Sequence, residues 1–209
     1  MTELVTYEER LNRDISWALM EGSMHFEKES AVHQSLRRIA RRLDELGIPY
    51  AVVGGMAMFL HGFRRFTEDV DILVTKESLA TIHARLDGLG YLPPFAGSKN
   101  LRDTENGVRI EFLVSGGYPG DGQPKPVTFP DPATVGEVID GVRVVELSKL
   151  LELKLASGTA AHRLKDLGDV QELIRVLRLT EDMADRLDES VRPRYRELWA
   201  AVHAARGDE

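Results

Sequence analysis

The chain has 209 residues, 43% hydrophobic and 29% charged, with a formal net charge of −7, which places it among globular proteins and argues against a broad basic surface for nucleic acid, a local basic cleft aside. It has no cysteine, which excludes a disulfide scaffold, a thiolate metal site and a cysteine nucleophile. No apolar run reaches the roughly 20 residues that span a bilayer, and the start, MTELVTYEERLNRD, is too polar for a signal peptide, so the expectation is a cytoplasmic protein with no membrane association.

Residues 8–20 read as a weak helix. Residues 27–46 read as a stronger one, with Leu36, Ile39, Ala40, Leu43 and Leu46 on one apolar stripe and Gly47 at the C-cap. Arg37, Arg38, Arg41 and Arg42 lie largely off that stripe, as a solvated face or a contact for an anionic partner. The run YAVVGG predicts a buried strand ending at Gly54 and Gly55, MAMFLHG a short helix opening after them, and VDILV a second strand. KESLATIHARLDGLG then predicts an amphipathic helix with Leu79, Ile82, Leu86 and Leu89 on one side and Gly90 at its end. GVRIEFLVSGG reads as a strand pairing with KNLRDT in a hairpin around ENG, YPGDGQPKPVTFPDPATVG as a loop, and the stretch around DGV as two short strands. From Ser148 onward the texture is helical, in SKLLELKLASG, HRLKDLGDVQELIRVLRL and PRYRELWAAVHAAR.

The chemistry concentrates in the middle. Strand side chains alternate faces, so Asp69 and Asp71 point the same way. Two such carboxylates repel, and burying them unpaired is costly unless one keeps its proton. A hard divalent cation resolves the repulsion, since Mg²⁺ takes one or two carboxylates and fills its shell with water and substrate phosphates. The alternative is a strand edge with both aspartates in water. Glu111, in VRIEFLV, offers a third carboxylate on a second apolar strand, as a metal ligand or a general base, and two ions on the three would activate a hydroxyl and clamp a triphosphate. Gly54 and Gly55 let backbone N–H groups approach an anion. Arg64 and Arg65 are candidates for phosphate contact or for balancing the acidic cluster, or are simply solvated, and His61 reads as a hydrogen-bonded structural histidine. Lys154 borders an apolar helical face from which it can snorkel toward a phosphate. Asp166 and Asp169 share a helix face one turn after Arg163.

In its order of strand, Gly-Gly, short helix, Asp-x-Asp and later strand carboxylate, the chain resembles the nucleotidyltransferase superfamily with the DNA polymerase β-like palm. It looks most like the AbiEii abortive-infection toxin-like branch. Gly54, Gly55, Ala57 and His61 match that branch's first motif, RRFTEDVDI its second, Lys154 in LELKLASG its third, and Arg163, Asp166 and Asp169 its fourth, over about residues 47–177.

The resemblance implies an α+β (mixed α/β) fold, a small mixed sheet flanked by helices with a helical C-terminal part. It also implies a metal-dependent enzyme moving an NMP from an NTP to an acceptor hydroxyl. Its metals, Mg²⁺ or Mn²⁺ and two in number, would sit on Asp69, Asp71 and Glu111. The nucleotide's phosphates would lie against Gly54, Gly55, Arg65 and Lys154, with Asp166 as a further nucleotide contact. Acceptors implied are RNA, protein or a small molecule such as an aminoglycoside, with an antitoxin as possible partner, and a non-catalytic binding member of the fold is the alternative. The expected division is residues 1–46 as N-terminal helices packing on the core, 47–146 as the catalytic core and 147–209 as helices closing the cleft. Oligomeric state stays open.

Overall fold

The structure, a computed structural model, describes residues 5–204. Residues 1–4 and 205–209 lie outside it, including the last residues of the expected C-terminal helix.

The N-terminal region differs from its expected outline. In place of one weak helix there are two, α1 (Tyr7–Arg13) and α2 (Ile15–Phe26), broken at Asp14. Asp14 ends α1 in an extended conformation and caps α2, its carboxylate accepting from the Trp17 N–H at 2.9 Å. The next helix, α3 (Ala31–Glu45), starts four residues later than its periodicity suggests. Lys28 has a left-handed backbone (φ 65°) and Ser30 is the N-cap, so residues 27–30 form the turn between α2 and α3. The apolar stripe of α3 is buried at Leu36, Ile39, Ala40 and Leu43, Leu46 being its partly buried C-cap, and Gly47 (φ 64°) follows with Ile48 N–H donating to Leu43 O.

Strand β1 (Ala51–Val53) runs straight into α4 (Gly54–Leu60), which begins at the glycines rather than after them. Then follow β2 (Asp69–Val74), α5 (Lys76–Leu86), β3 (Tyr91–Leu92), β4 (Leu101–Asp103) and β5 (Arg109–Val114). The loop expected over 118–136 holds one helical turn, α6 (Pro132–Val135), and leads to β6 (Gly136–Ile139) and β7 (Val142–Val145). The helical part comprises α7 (Leu147–Ser157), a 3-10 turn (Ala161–Arg163), α8 (Leu164–Leu177), a second 3-10 segment (Glu181–Arg186) and α9 (Arg192–Ala204).

Among the described residues, seven strands make one mixed sheet, ordered β3-β4-β5-β2-β1-β7-β6. The β4–β5 pair is the expected hairpin, and β6 and β7, the two short strands expected around DGV, pair antiparallel. At the centre, β2 is antiparallel to β1 and parallel to β5, in a register that sets Asp71 opposite both Val53 and Glu111, and Asp69 opposite Arg109. Alternation along β2 buries Val70 and Ile72 fully and leaves Asp69 and Asp71 half-buried on the other face. Helix α3 packs on β2 and β7, α7 on α4 and α8, and α9 on α8. One hydrophobic core runs through all these elements, from Tyr7 to Val202. Among the described residues, no helix is long and apolar enough to cross a membrane.

Candidate active site

The register of β2 and β5 assembles the acidic cluster. Asp69, Asp71 and Glu111 project from adjacent strands, and one carboxylate oxygen of each lies within 4.8 Å of the others. Asp69 accepts from Thr67 Oγ1 at 3.0 Å and from Arg109 Nη2 at 2.8 Å. Glu111 is paired with Arg109 Nη1 at 3.2 Å. Among the described residues, no donor or ion-pair partner meets Asp71. Burial first, then the charges of Asp69 and Glu111, push its carboxyl up to about 7, against partial relief from Lys154 and Arg109. Three carboxylates against one guanidinium leave the cluster short of positive charge. Its donor set of carboxylate oxygens suits a hard divalent cation.

The paired glycines owe their identity to this cluster. Gly54 adopts φ 63°, and a Cβ there would lie 1.8 Å from Asp71 Oδ2. A Cβ on Gly55 would lie 2.6 Å from Thr67 Oγ1, the hydroxyl that holds Asp69. Both positions are therefore bare because the carboxylates and their support occupy the space a side chain would need.

A cavity of about 440 Å³ opens beside the cluster, with Gly54, Asp71 and Glu111 on one side and Lys154, Arg163 and Asp166 on another. Lys99 and the aromatic rings of Tyr118 and Phe129 also line it. Asp69, Gly55 and Arg65 do not. The Arg65 guanidinium instead faces Asp169 at 3.4 Å and the Phe66 carbonyl at 3.3 Å.

Helices α7 and α8 form the opposite wall through a buried ionic network. Lys154 Nζ donates to Asp166 Oδ1 at 3.0 Å and to Asp169 Oδ2 at 2.7 Å. Asp166 Oδ2 accepts from Ser157 Oγ at 2.6 Å and from Arg163 Nε at 2.9 Å. Burial raises the Asp166 carboxyl, but the Lys154 charge, the Ser157 and Lys154 hydrogen bonds and Arg163 outweigh it and hold the group below its ordinary value. The four side chains of the fourth and third motifs thus meet, with Asp166 and Asp169 gripping the lysine. His61, as expected, is structural, its Nε2–H donating to the Val145 carbonyl at 2.8 Å.

Sequence reasoning did not single out Thr67, Arg109, Ser157, Lys99, Tyr118 or Phe129. Arg109 carried a usable signal, since it lies two residues before Glu111 and so on the same strand face. The two aromatics come from the Pro- and Gly-rich loop, where no periodicity points inward.

No protein-family model matches this sequence, and no curated protein sequence matches it significantly. Among solved structures, the chain is similar to the antibiotic-resistance factor ANT(2'')-Ia in solution, at 15% identity over 83% of this chain and 95% of that one, with a TM-score of 0.51. It is likewise similar to crystalline ANT(2'')-Ia in complex with adenylyl-2''-tobramycin, at 15% identity over 78% and 96% of the two chains and a TM-score of 0.50. JHP933 from Helicobacter pylori matches at 17% identity over 83% and 91%, with a TM-score of 0.45. The fold is nucleotidyltransferase-like, a mixed sheet flanked by helices.

Proposed function

We propose that the protein is a metal-dependent nucleotidyltransferase that moves an NMP from an NTP to an acceptor hydroxyl. The observation that carries this reading is the convergence of Asp69, Asp71 and Glu111 at a cavity whose far wall bears Lys154. The three carboxylates are the residues that would hold Mg²⁺ or Mn²⁺, and the bound metal would supply charge neutralisation of the triphosphate and acidification of the attacking hydroxyl.

The chain's own groups do the rest. Lys154, Arg163 and Lys99 give the cavity a cationic side for a polyphosphate, and Gly54 lets the phosphates lie close to the backbone. Asp166 and Asp169 fix the lysine, so the wall is organised before substrate arrives. Tyr118 and Phe129 offer apolar faces to a base or sugar. The acceptor oxygen bonds the α-phosphorus, the bond to the bridging oxygen breaks and pyrophosphate leaves. The hydroxyl proton passes to a carboxylate of the cluster. Such a reaction belongs in the cytoplasm, where nucleoside triphosphates are found.

Two acceptor classes have support. The meeting of Lys154, Arg163, Asp166 and Asp169 favours the toxin-like branch, with an RNA 3′ end or a protein hydroxyl as acceptor and an antitoxin protein as partner. The fold shared with ANT(2'')-Ia, together with Asp121 and Glu111 at the cavity, favours a cationic small-molecule acceptor such as an aminoglycoside. The test is label transfer from each α-labelled NTP with Mg²⁺ to RNA, protein or aminoglycoside, with Asp69→Asn and Asp71→Asn in parallel. Transfer by wild type alone supports the reading, and the labelled acceptor chooses between the classes. Equal transfer by both variants, or none with any acceptor, overturns it.

A further inference from the structure

Arg109 stands where the cluster most needs a cation. It follows Asp69 across the parallel β2–β5 register and precedes Glu111 by two residues, so all three share one face. Its two terminal nitrogens reach Asp69 Oδ2 at 2.8 Å and Glu111 Oε1 at 3.2 Å. Its Nε is buried and has no hydrogen-bond acceptor. Glu8 Oε1, on α1, lies 3.9 Å from that nitrogen. One guanidinium therefore spans two carboxylates of the cluster and leaves a donor without an acceptor, 3.9 Å from a third acid outside it.

Glu8 is held ready for that role. Its other oxygen accepts from Arg102 Nη1 at 2.8 Å, and α1 is tied to the β4–β5 turn by the Tyr7 N–H donating to Gly107 O at 3.1 Å. The contact is close, since a Cβ on Gly107 would lie 2.7 Å from Val5 O. The first helix is thus fastened to the strand that carries Arg109 and Glu111.

We propose that Arg109 is a positioning residue that holds Asp69 and Glu111 until a divalent cation takes them, and that Glu8 is the acid to which it then shifts. This inference rests on the metal reading above. A cation entering the cluster must displace a bidentate guanidinium from two of its three ligands, which weakens its binding. The displaced Arg109 recovers an acceptor for its orphaned Nε by turning to Glu8, which offsets part of that cost. Cation affinity is therefore set from outside the cluster, by one residue of the N-terminal helix.

The experiment is Mn²⁺ titration, by calorimetry or electron paramagnetic resonance, of the full chain stripped of metal. Wild type, Arg109→Gln, Glu8→Gln and the double variant are compared. Arg109→Gln binds Mn²⁺ about tenfold more tightly, the effect of removing a competing unit charge a few ångströms away in a partly screened site. Glu8→Gln binds it roughly threefold more weakly, as suits the loss of a half-exposed ion pair. In the Arg109→Gln background, Glu8→Gln changes nothing, because no guanidinium is left to reseat. A role in folding alone would not tighten binding. Unchanged or weaker binding by folded Arg109→Gln overturns the inference, as does wild-type affinity in Glu8→Gln. If Arg109→Gln does not fold, the Glu8→Gln arm decides. Wild type that binds no Mn²⁺ overturns the metal reading and this inference with it, whereas binding that no variant alters overturns this inference alone.

Discussion

Gly54 and Asp71 occupy each other's space: a Cβ on residue 54 would lie 1.8 Å from Asp71 Oδ2. The glycine also holds φ 63°, a conformation that costs other residues about 1 kcal/mol or more. Gly54→Ala is therefore expected to lose stability and to displace Asp71, cutting label transfer at least about a hundredfold, as misplacement of a reacting group does. Gly22 is the control, since nothing lies within 4 Å of a Cβ there and it sits inside α2. Gly22→Ala should stabilise by about 0.5–1 kcal/mol. Thermal melts and label transfer on both variants check the pair, and a Gly54→Ala enzyme of wild-type activity contradicts the account.

The Asp71 carboxyl predicts an inverted pH dependence in the metal-free protein. Its value is raised from 3.8 to about 7, so between these limits the folded chain keeps a proton that the unfolded chain releases. Stability from this group is present below 3.8, falls as pH rises through the window, and is gone above about 7. A divalent cation removes the repulsion, so millimolar Mg²⁺ should raise the melting temperature more at pH 8 than at pH 5. Asp71→Asn should melt higher than wild type at pH 8 without metal, lose most of the Mg²⁺ shift and lose transfer. A lower melting temperature for metal-free Asp71→Asn at pH 8 would contradict the prediction.

How much of this was legible differs residue by residue. Asp69, Asp71 and Glu111 are legible because strand alternation is a local property and each lies in an obvious apolar run. The grip of Asp166 and Asp169 on Lys154 is half legible: the two aspartates share a helix face, but which lysine they meet depends on how α7 docks on α8. Arg109 pairs with Asp69 through a parallel register between strands separated by α5, β3 and β4, which no local pattern encodes. Gly55 reads as a corner, yet its constraint is Thr67, twelve residues on in sequence. The break at Asp14 had a local signal, an acid three residues before Trp17 at the N-cap spacing, blurred by the weak apolar stripe of α2. Strand β3, two residues long, is too short to show a period.

A relay of buried histidines under α2 and α3 sets an acid limit. His33 Nδ1 and Ser30 Oγ lie 3.0 Å apart, Ser30 Oγ and His25 Nδ1 3.3 Å apart, and His25 Nε2–H donates to the Arg65 carbonyl at 3.0 Å. With both rings neutral, the chain of donors leaves His33 Nε2 a buried atom without partner. Burial lowers both rings, His33 from 6.5 to about 4, with His25, Arg37 and Lys28 adding to the effect and Asp140 opposing it. The unfolded chain takes up the proton first, so stability is full above about 6.5 and falls as pH drops toward 4, opposite in sign to Asp71. His33→Phe keeps the packing against Phe59 and removes the orphaned nitrogen, so it should flatten the decline between pH 6.5 and 4 in a series of thermal melts. A decline as steep as that of wild type would place the acid sensitivity elsewhere.

The Lys154 network allows stability to be separated from the proposed catalysis. Lys154, Asp166 and Asp169 are all at least nine-tenths buried, and the ammonium is what lets the two carboxylates coexist. Lys154→Met leaves Asp166 with Arg163 and Asp169 with Arg65 at 3.4 Å, but removes the one cation the two buried acids share, a change expected to cost about 3 kcal/mol. Neutralising one acid as well, in Lys154→Met with Asp166→Asn, removes part of that repulsion and should recover some stability, since the residues share one network and their effects do not add. Label transfer should not recover, because the cation proposed to face the triphosphate is still missing. Chemical denaturation and label transfer on the single and double variants give the two readouts. A double variant that regains transfer along with stability would make Lys154 a structural counter-ion with no part in catalysis.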